Sequence, residues 1–186
     1  MTPDNDLDLL FDPSLIPTSF QDQLGLDLHL RPLSSTDDSR GHFELLTVLT
    51  AAPHLSAKAY KDTFEEIRSC PNTYFTIVIV HRESDEIVGC GSIVVERKFL
   101  RNAGLVGHIE DIAVSKSMQG RKLGIKIINA LEEIGRARGC YKIILDCSKS
   151  NIPFYEKCGF KHKEFQMVRY MTDPADVTKS PTSSRL

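Results

Sequence analysis

The chain has 186 residues, 41% of them hydrophobic and 26% charged, and its formal net charge is -2. This length suits one domain with tails. The pI near 6.3 and the lack of an arginine-rich arm argue against nucleic-acid binding. Five cysteines without a CxxC pair favour reduced thiols over a disulfide framework or a zinc site. No apolar run is long enough to cross a membrane, so we expect a soluble, cytoplasmic protein.

Composition divides the chain into three regions. Residues 1–24 mix acids, prolines and short apolar patches, which predicts a flexible N-terminal arm in which one short segment can dock on the domain. Residues 25–171 carry the periodic patterns of a folded domain. Residues 172–186 are rich in Pro, Ser and Thr and are predicted to be a disordered tail.

Within residues 25–171, strand patterns alternate with helix patterns. Leu26–Leu33 is predicted to be the first strand, followed by two helices, one starting at Asp37 and one capped by Ser56. The strands "TYFTIVIV", "IVGCGSIVVERKF" and "HIEDIAV" come next, then an amphipathic helix from Leu123 to a left-handed C-cap at Gly139. The strand "CYKIILDC", the short helix "NIPFYEKCG" and the last strand "FQMVRYM" complete the order. This order predicts an α/β (α+β) fold, with a mixed central sheet and helices on both faces.

The residues between "HIEDIAV" and the following helix have the features of an anion site. Helix N-termini carry unpaired N–H groups and about half a positive charge, which suits a phosphate or a pyrophosphate. Two glycines, Gly120 and Gly124, allow close backbone approach. Three cations add charge around them: Arg121, Lys122 and Lys126. The run is neither a P-loop nor a GxGxxG fingerprint, and alone it could equally be a turn with solvated cations.

The motif Gln119-x-x-Lys122-x-Gly124 after a strand resembles the Q/R-x-x-G-x-G/A motif of the GNAT superfamily of N-acetyltransferases, with lysine where glycine is usual. The blocks "VVERKFL", "GHIEDIAV", "GCYKIILDC" and "NIPFYEKCGF" are similar to the eukaryotic glucosamine 6-phosphate N-acetyltransferases. The resemblance covers roughly residues 26–171. It implies the GNAT acyl-CoA N-acyltransferase fold and acetyl transfer from acetyl-CoA to the amine of glucosamine 6-phosphate, in UDP-N-acetylglucosamine biosynthesis. The transfer would be direct, with neither a metal nor a covalent enzyme intermediate.

The same resemblance implies three groups of site residues. The catalytic group is an N–H donor to the thioester oxygen, a tyrosine near the sulfur and two carboxylates near the amine: Ile112, Tyr155, Glu110 and Asp146. The coenzyme group is Ile112, Ala113, Val114, Gln119, Gly120, Arg121, Lys122, Leu123, Gly124, Tyr155, Glu156 and Lys157. The sugar phosphate group is Thr50, Lys98, Phe99, Leu100, Arg101, Glu110, Asp111, Tyr141, Lys142, Asp146 and Arg169. Arg101 stands where relatives often carry histidine.

Elementary chemistry refines two of these roles. The ordinary pKa of tyrosine is about 10 and that of a thiol about 8.5, so full proton donation to a thiolate is uphill by about 2 kcal/mol in water. A hydrogen bond from Tyr155 to the departing sulfur suits these values better. Glu110 and Asp111 are neighbours on a strand, so we expect them to face opposite sides of the sheet. Which group is the general base stays open.

The remaining expectations concern the assembly, the cysteines and histidines, and two alternative functions that stay open. The resemblance implies a homodimer formed through "FQMVRYM", with Arg169 reaching the second subunit's site. Cys147 and Cys158 are expected to be buried structural thiols, and the six histidines form no metal-binding motif. A protein-lysine or N-terminal acetyltransferase of the same fold, or a catalytically silent acetyl-CoA-binding module, would share most of these features.

Overall fold

The computed structural model describes residues 1–50 and 54–171, so the predicted tail at 172–186 lies outside the described residues. One five-stranded mixed sheet has the spatial order β1-β2-β3-β4-β5. The strands are Leu28–Pro32 (β1), Tyr74–His81 (β2), Glu86–Arg97 (β3), Leu105–Val114 (β4) and Cys140–Ile144 (β5). Strands β1 to β4 pair antiparallel with their chain neighbours, whereas β5 pairs parallel with β4. The parallel pair needs a crossover, which a helix supplies.

Helices lie on both faces of the sheet, as the patterning predicts. They are Thr18–Gln23 (α1), His42–Leu46 (α2), Ala57–Arg68 (α3), Leu100–Ala103 (α4), Leu123–Ala137 (α5) and Ile152–Lys157 (α6). On one face α5 buries Ile127 and Leu131 against the sheet, and on the other Phe64 of α3 packs with Val78 and Val80. The mixed α+β architecture is therefore confirmed. Within the described residues, no helix is both long and apolar enough to cross a membrane.

Two predicted helix ends are confirmed and one predicted strand is wrong. The Ser56 hydroxyl accepts a hydrogen bond from the Ala59 N–H at 3.2 Å, and Gly139 adopts the left-handed conformation at φ 83°. The segment "FQMVRYM" alternates like a strand, but residues 161–170 form neither strand nor helix. A strand needs a neighbouring strand to satisfy its backbone groups, and no such neighbour lies beside this segment among the described residues.

The N-terminal arm lies against the domain along much of its length, where the sequence predicts one docked segment. Leu10, Ile16 and Leu24 are buried in the core. The side chain of Gln21 in α1 donates to the Leu28 carbonyl at 3.0 Å and accepts from the Leu30 N–H at 2.9 Å. Gln21 thus satisfies backbone groups on the free edge of β1, which would otherwise be open to another strand.

A buried ion pair joins β1 to the turn that precedes α2. Arg31 is 1% exposed and Asp37 is 0% exposed, and both guanidinium N–H groups reach the carboxylate at 2.7 Å. The Asp37 carboxylate also accepts from the Ser34 N–H at 2.8 Å. Such a pair does not need to add net stability, but removing one partner leaves a buried charge uncompensated. It therefore fixes the path of the chain between β1 and α2.

Candidate active site

The parallel strands β4 and β5 pair only over the first part of β4. Their pairing runs from Leu105 opposite Cys140 to His108 opposite Ile144, and β4 then continues alone on that side to Val114. Among the described residues, no strand pairs with residues 109–114 along this edge. The gap leaves room for an extended ligand to bind beside the backbone at Ile112, Ala113 and Val114.

A β-bulge interrupts β4 at the centre of this edge. Asp111 has a φ of 55°, and the register moves from Ser92 opposite Glu110 to Cys90 opposite Ala113. Two residues, Asp111 and Ile112, therefore lie opposite the single residue Gly91. The buried Cys90 thiol donates a 3.6 Å hydrogen bond to the Asp111 carbonyl, which supports the bulge from behind.

The bulge interrupts the side-chain alternation around Glu110 and Asp111. Ile109 and Ile112 both pack on the α5 side of the sheet, three residues apart instead of the regular two. The two acids between them are both exposed. The extra residue breaks the alternation on which the expectation of opposite faces rests, so that expectation stays a prediction.

Three carboxylates gather at the open end of the sheet. Desolvation by the surrounding protein is the largest cause that raises the pKa of Glu110, and the charges of Asp111 and Asp146 raise it further. His108 opposes this effect. The raised pKa of Glu110 suits acceptance of a proton from a substrate amine, and the neighbouring acids suit attraction of its ammonium form.

Sequence patterns did not identify the residue that holds His108. The imidazole Nε2 lies 2.9 Å from a carboxylate oxygen of Glu96 on the neighbouring strand β3, and the Lys98 ammonium bonds the same carboxylate. His108 is therefore a strand histidine with a hydrogen-bond partner. Its partner is twelve residues away in the chain, and only the hairpin register brings them together. Lys98, predicted to bind the sugar phosphate, is thus already paired.

The loop before α5 has the features of a phosphate cradle. Gly120 has a φ of 84°, and a Cβ built there would meet nothing within 4 Å. The N–H groups of Gly120, Lys122, Leu123 and Gly124 donate to no acceptor among the described residues. Such free donors at a helix start fit the diphosphate of a coenzyme A. Gly124 also has a packing role, since a Cβ built there would lie only 3.2 Å from the Cζ of Phe154.

The predicted cations of this loop are partly engaged elsewhere. Arg121 donates to both carboxylate oxygens of Asp27, at 2.6 and 2.8 Å, and the Lys126 ammonium donates to the Gln23 carbonyl at 2.7 Å. The hydrogen bonds from Arg121 lower the pKa of Asp27 to about 2. Coenzyme binding by Arg121 stays a prediction, but its side chain is held by the end of the N-terminal arm.

Tyr155 lines a cavity that borders β5. The cavity has a volume of about 1070 Å³ and is lined by β5, α6 and the chain after α6, including Lys142, Asp146 and Tyr155. The Tyr155 ring packs edge-on against Phe154, with centroids 5.1 Å apart. Burial is the main cause that raises the pKa of Tyr155, and the nearby Cys147 and Cys158 thiols raise it further. The phenol therefore keeps its proton and is available as a hydrogen-bond donor.

The remaining predicted residues are less closely gathered. Thr50 and Arg169 are exposed and make no hydrogen bond or ion pair with the described residues. Arg101 is exposed within α4, whose residues 101–103 have positive φ and so form a left-handed turn in place of a regular helix. Cys147 is exposed in the cavity and only Cys158 is partly buried, so the expectation of buried thiols is wrong for Cys147. In the described parts of the chain, no cluster of His, Cys, Asp or Glu could hold a metal ion.

Comparison with known proteins identifies the family of this chain. Residues 43–160 match the model of the acetyltransferase (GNAT) family. The chain is 45% identical over 147 residues to glucosamine 6-phosphate N-acetyltransferase 1 of Dictyostelium discoideum, covering 79% of this chain and 93% of that one. A solved structure of glucosamine 6-phosphate N-acetyltransferase from Arabidopsis thaliana has a TM-score of 0.76 and 41% identity, over 78% of this chain and 99% of that one.

The fold, the cradle before α5 and the family match define the class of protein: this chain belongs to the GNAT family of acetyltransferases. Its curated relatives also include glucosamine 6-phosphate N-acetyltransferases of Arabidopsis thaliana and Candida albicans, at 42% and 41% identity. The resemblance to the eukaryotic glucosamine 6-phosphate N-acetyltransferases that the sequence blocks indicate is therefore confirmed.

Proposed function

We propose that the protein transfers the acetyl group of acetyl-CoA directly to the amine of glucosamine 6-phosphate, in UDP-N-acetylglucosamine biosynthesis. The observation that carries the proposal is the open edge of β4, which lies between the free N–H groups before α5 and three converging acids. The names of the relatives support the choice of sugar. The free cysteines, two of them exposed, favour the reducing cytoplasm.

Alignment of the two reactants is the first task of the site. The loop amides hold the coenzyme diphosphate, and the unpaired edge at Ile112–Val114 binds the amide-bearing arm as an added strand would bind. We assign the Ile112 N–H as the donor to the thioester oxygen, where negative charge grows as the amine attacks. A donor preorganised for that charge contributes about 3–4 kcal/mol in comparable sites.

Proton transfer is the second task. Glu110 accepts the amine proton through a water molecule, and Asp146 orients the amine with a carboxylate oxygen. Asp146 already accepts a 3.0 Å hydrogen bond from the Gln166 side chain, which fixes its position. Tyr155 donates a hydrogen bond to the departing sulfur. Its raised pKa favours this role over complete proton transfer.

A homodimer completes the proposed site. The free edge of β5 and the alternating apolar residues after it, such as Met167 at 92% exposure, are unpaired in one copy of the chain. A second copy packs against the exposed apolar residues of "FQMVRYM" and brings Arg169 to the sugar phosphate. Size-exclusion chromatography with light scattering is expected to show a dimer for the full chain and a monomer for a variant ending at His162.

A thiol-release assay with acetyl-CoA tests the enzymatic proposal. We expect rapid release with glucosamine 6-phosphate and far slower release with free glucosamine, because the phosphate supplies much of the binding energy. Faster release with a lysine peptide would favour a protein acetyltransferase. Coenzyme binding without release from any acceptor would favour a silent binding module, and equal rates for the two sugars would contradict a phosphate grip.

A further inference from the structure

The segment from Gln23 to Asp27, which joins the N-terminal arm to β1, contacts the loop before α5 and the first turn of α5. Asp27, just before β1, forms the two-pronged ion pair with Arg121, and the Gln23 carbonyl accepts from Lys126 in the first turn of α5. Asp27 and Arg121 are 94 residues apart in the chain. Both contacts thus reach residues that flank the free N–H groups of Gly120, Lys122, Leu123 and Gly124.

The chain is shaped to allow this ion pair. A Cβ on Gly25 would lie 2.6 Å from the Arg121 Nη2 and 2.5 Å from the Asp27 Oδ1, so alanine there would have to push the ends of these two side chains aside. Gly25 does not have a positive φ, which means that the backbone alone would accept alanine. The Arg121 Nη1 also lies 3.5 Å from the Met118 sulfur, which supports the guanidinium from the loop side.

We propose that Asp27 is a positioning residue for coenzyme binding: through Arg121 it holds the Gln119–Gly124 loop so that its free N–H groups converge on the coenzyme diphosphate. The inference rests on the proposed function of that loop. The segment between the arm and β1 then supports the coenzyme site without touching the coenzyme. Arg121 points towards β1 in this arrangement, and the backbone amides grip the phosphates.

Two variants disturb the pair in different ways. Asp27→Asn removes the charge and keeps the shape, whereas Gly25→Ala keeps both charges and forces the partners apart. The matched control is Asp22→Asn, which makes the same charge change on an exposed residue of α1 that has no ion pair or hydrogen bond from its side chain among the described residues. All three sites are outside the proposed catalytic and binding groups.

Isothermal titration with coenzyme A and steady-state kinetics test the proposal. Exposed ion pairs have modest strength, so we expect coenzyme A affinity to fall about two- to five-fold in both variants and not in the control. The KM for acetyl-CoA should rise equally, with kcat, the KM for the sugar and the melting temperature unchanged. A merely structural role would lower the melting temperature without this separation of KM from kcat.

A double-variant cycle with Arg121→Gln adds a second test. If Asp27 acts through Arg121, Asp27→Asn has no further effect once Arg121 is replaced. Unchanged or tighter coenzyme binding by Asp27→Asn would overturn the inference, the latter because it would show that Asp27 competes with phosphate. Wild-type protein that binds no coenzyme A would overturn both this inference and the proposed function, so the two failures are distinguishable.

Discussion

Gly91 lies directly behind Ile112, on the α5 side of the bulge, and its substitution tests the assignment of the Ile112 N–H. A Cβ at Gly91 would lie 2.5 Å from the Ile112 Cδ1 and 2.7 Å from the Ile127 Cγ2. Carbon atoms in good contact are about 3.5–4.0 Å apart, so Gly91→Ala must displace Ile112 or α5 by about 1 Å. Overpacking of this kind costs about 1–3 kcal/mol of stability.

The expected loss of activity follows from the displacement. A shift of about 1 Å in a reacting group can cost about 10²-fold, and the loss of an oxyanion donor costs about 10²–10³-fold in kcat. We expect Gly91→Ala to lower kcat by about 10- to 100-fold at saturating acetyl-CoA, because the bulge shifts without being lost. Thiol release measures kcat, and urea unfolding measures stability.

Gly89 provides the matched control for this experiment. It lies two residues earlier on the same face of β3, and its added Cβ would meet the Ile127 Cδ1 at 3.1 Å and Ile79 at 3.6 Å, without reaching Ile112. Gly89→Ala should lose some stability and keep kcat within about two-fold. Equal losses of kcat in both variants, or full activity in Gly91→Ala, would refute the assignment of the donor.

Three further predictions address the acids, the phenol and the buried ion pair. The folded protein raises the pKa of Glu110 above its ordinary value of 4.5, so kcat/KM should fall with decreasing pH at a point above 4.5. His108 lowers this pKa, so His108→Asn should move the acidic limb of the pH profile to higher pH. A limb that stays in place would exclude Glu110 as the base. Tyr155→Phe should lower kcat and leave coenzyme A affinity nearly unchanged, and unaltered turnover would contradict its role. Asp37→Asn should destabilise the fold by about 3–5 kcal/mol, since it leaves Arg31 buried without a counter-charge. Urea unfolding measures this loss against Asp38→Asn, a control at a partly buried residue without an ion pair among the described residues.

Much of this architecture follows from local patterns. The strands, the crossover helix α5 and the cap at Ser56 depend on residues close together in the chain, so periodicity and capping rules predict them. The loop from Gln119 to Gly124 is equally local, and its anion-binding character follows from glycines at a helix start. These features need no knowledge of what packs beside them.

The features that sequence reasoning missed depend on distant partners. The bulge at Asp111 depends on which residues of β3 lie opposite, and the pairs Asp27–Arg121 and Glu96–His108 depend on the sheet register. "FQMVRYM" has the pattern of a strand, but a pattern cannot supply the neighbouring strand. Tertiary context therefore decided each of these cases.

The side chain of Gln21 has a further consequence for how copies of this chain can associate. It occupies the backbone groups on one rim of the sheet, at β1, while β5 leaves the opposite rim free. A sheet with two unpaired edge strands can add copies at both edges without limit, whereas a sheet with one unpaired edge strand can pair with only one other copy. By occupying backbone groups on the β1 edge, the Gln21 side chain disfavours strand addition there and leaves the β5 edge for any pairing with another copy.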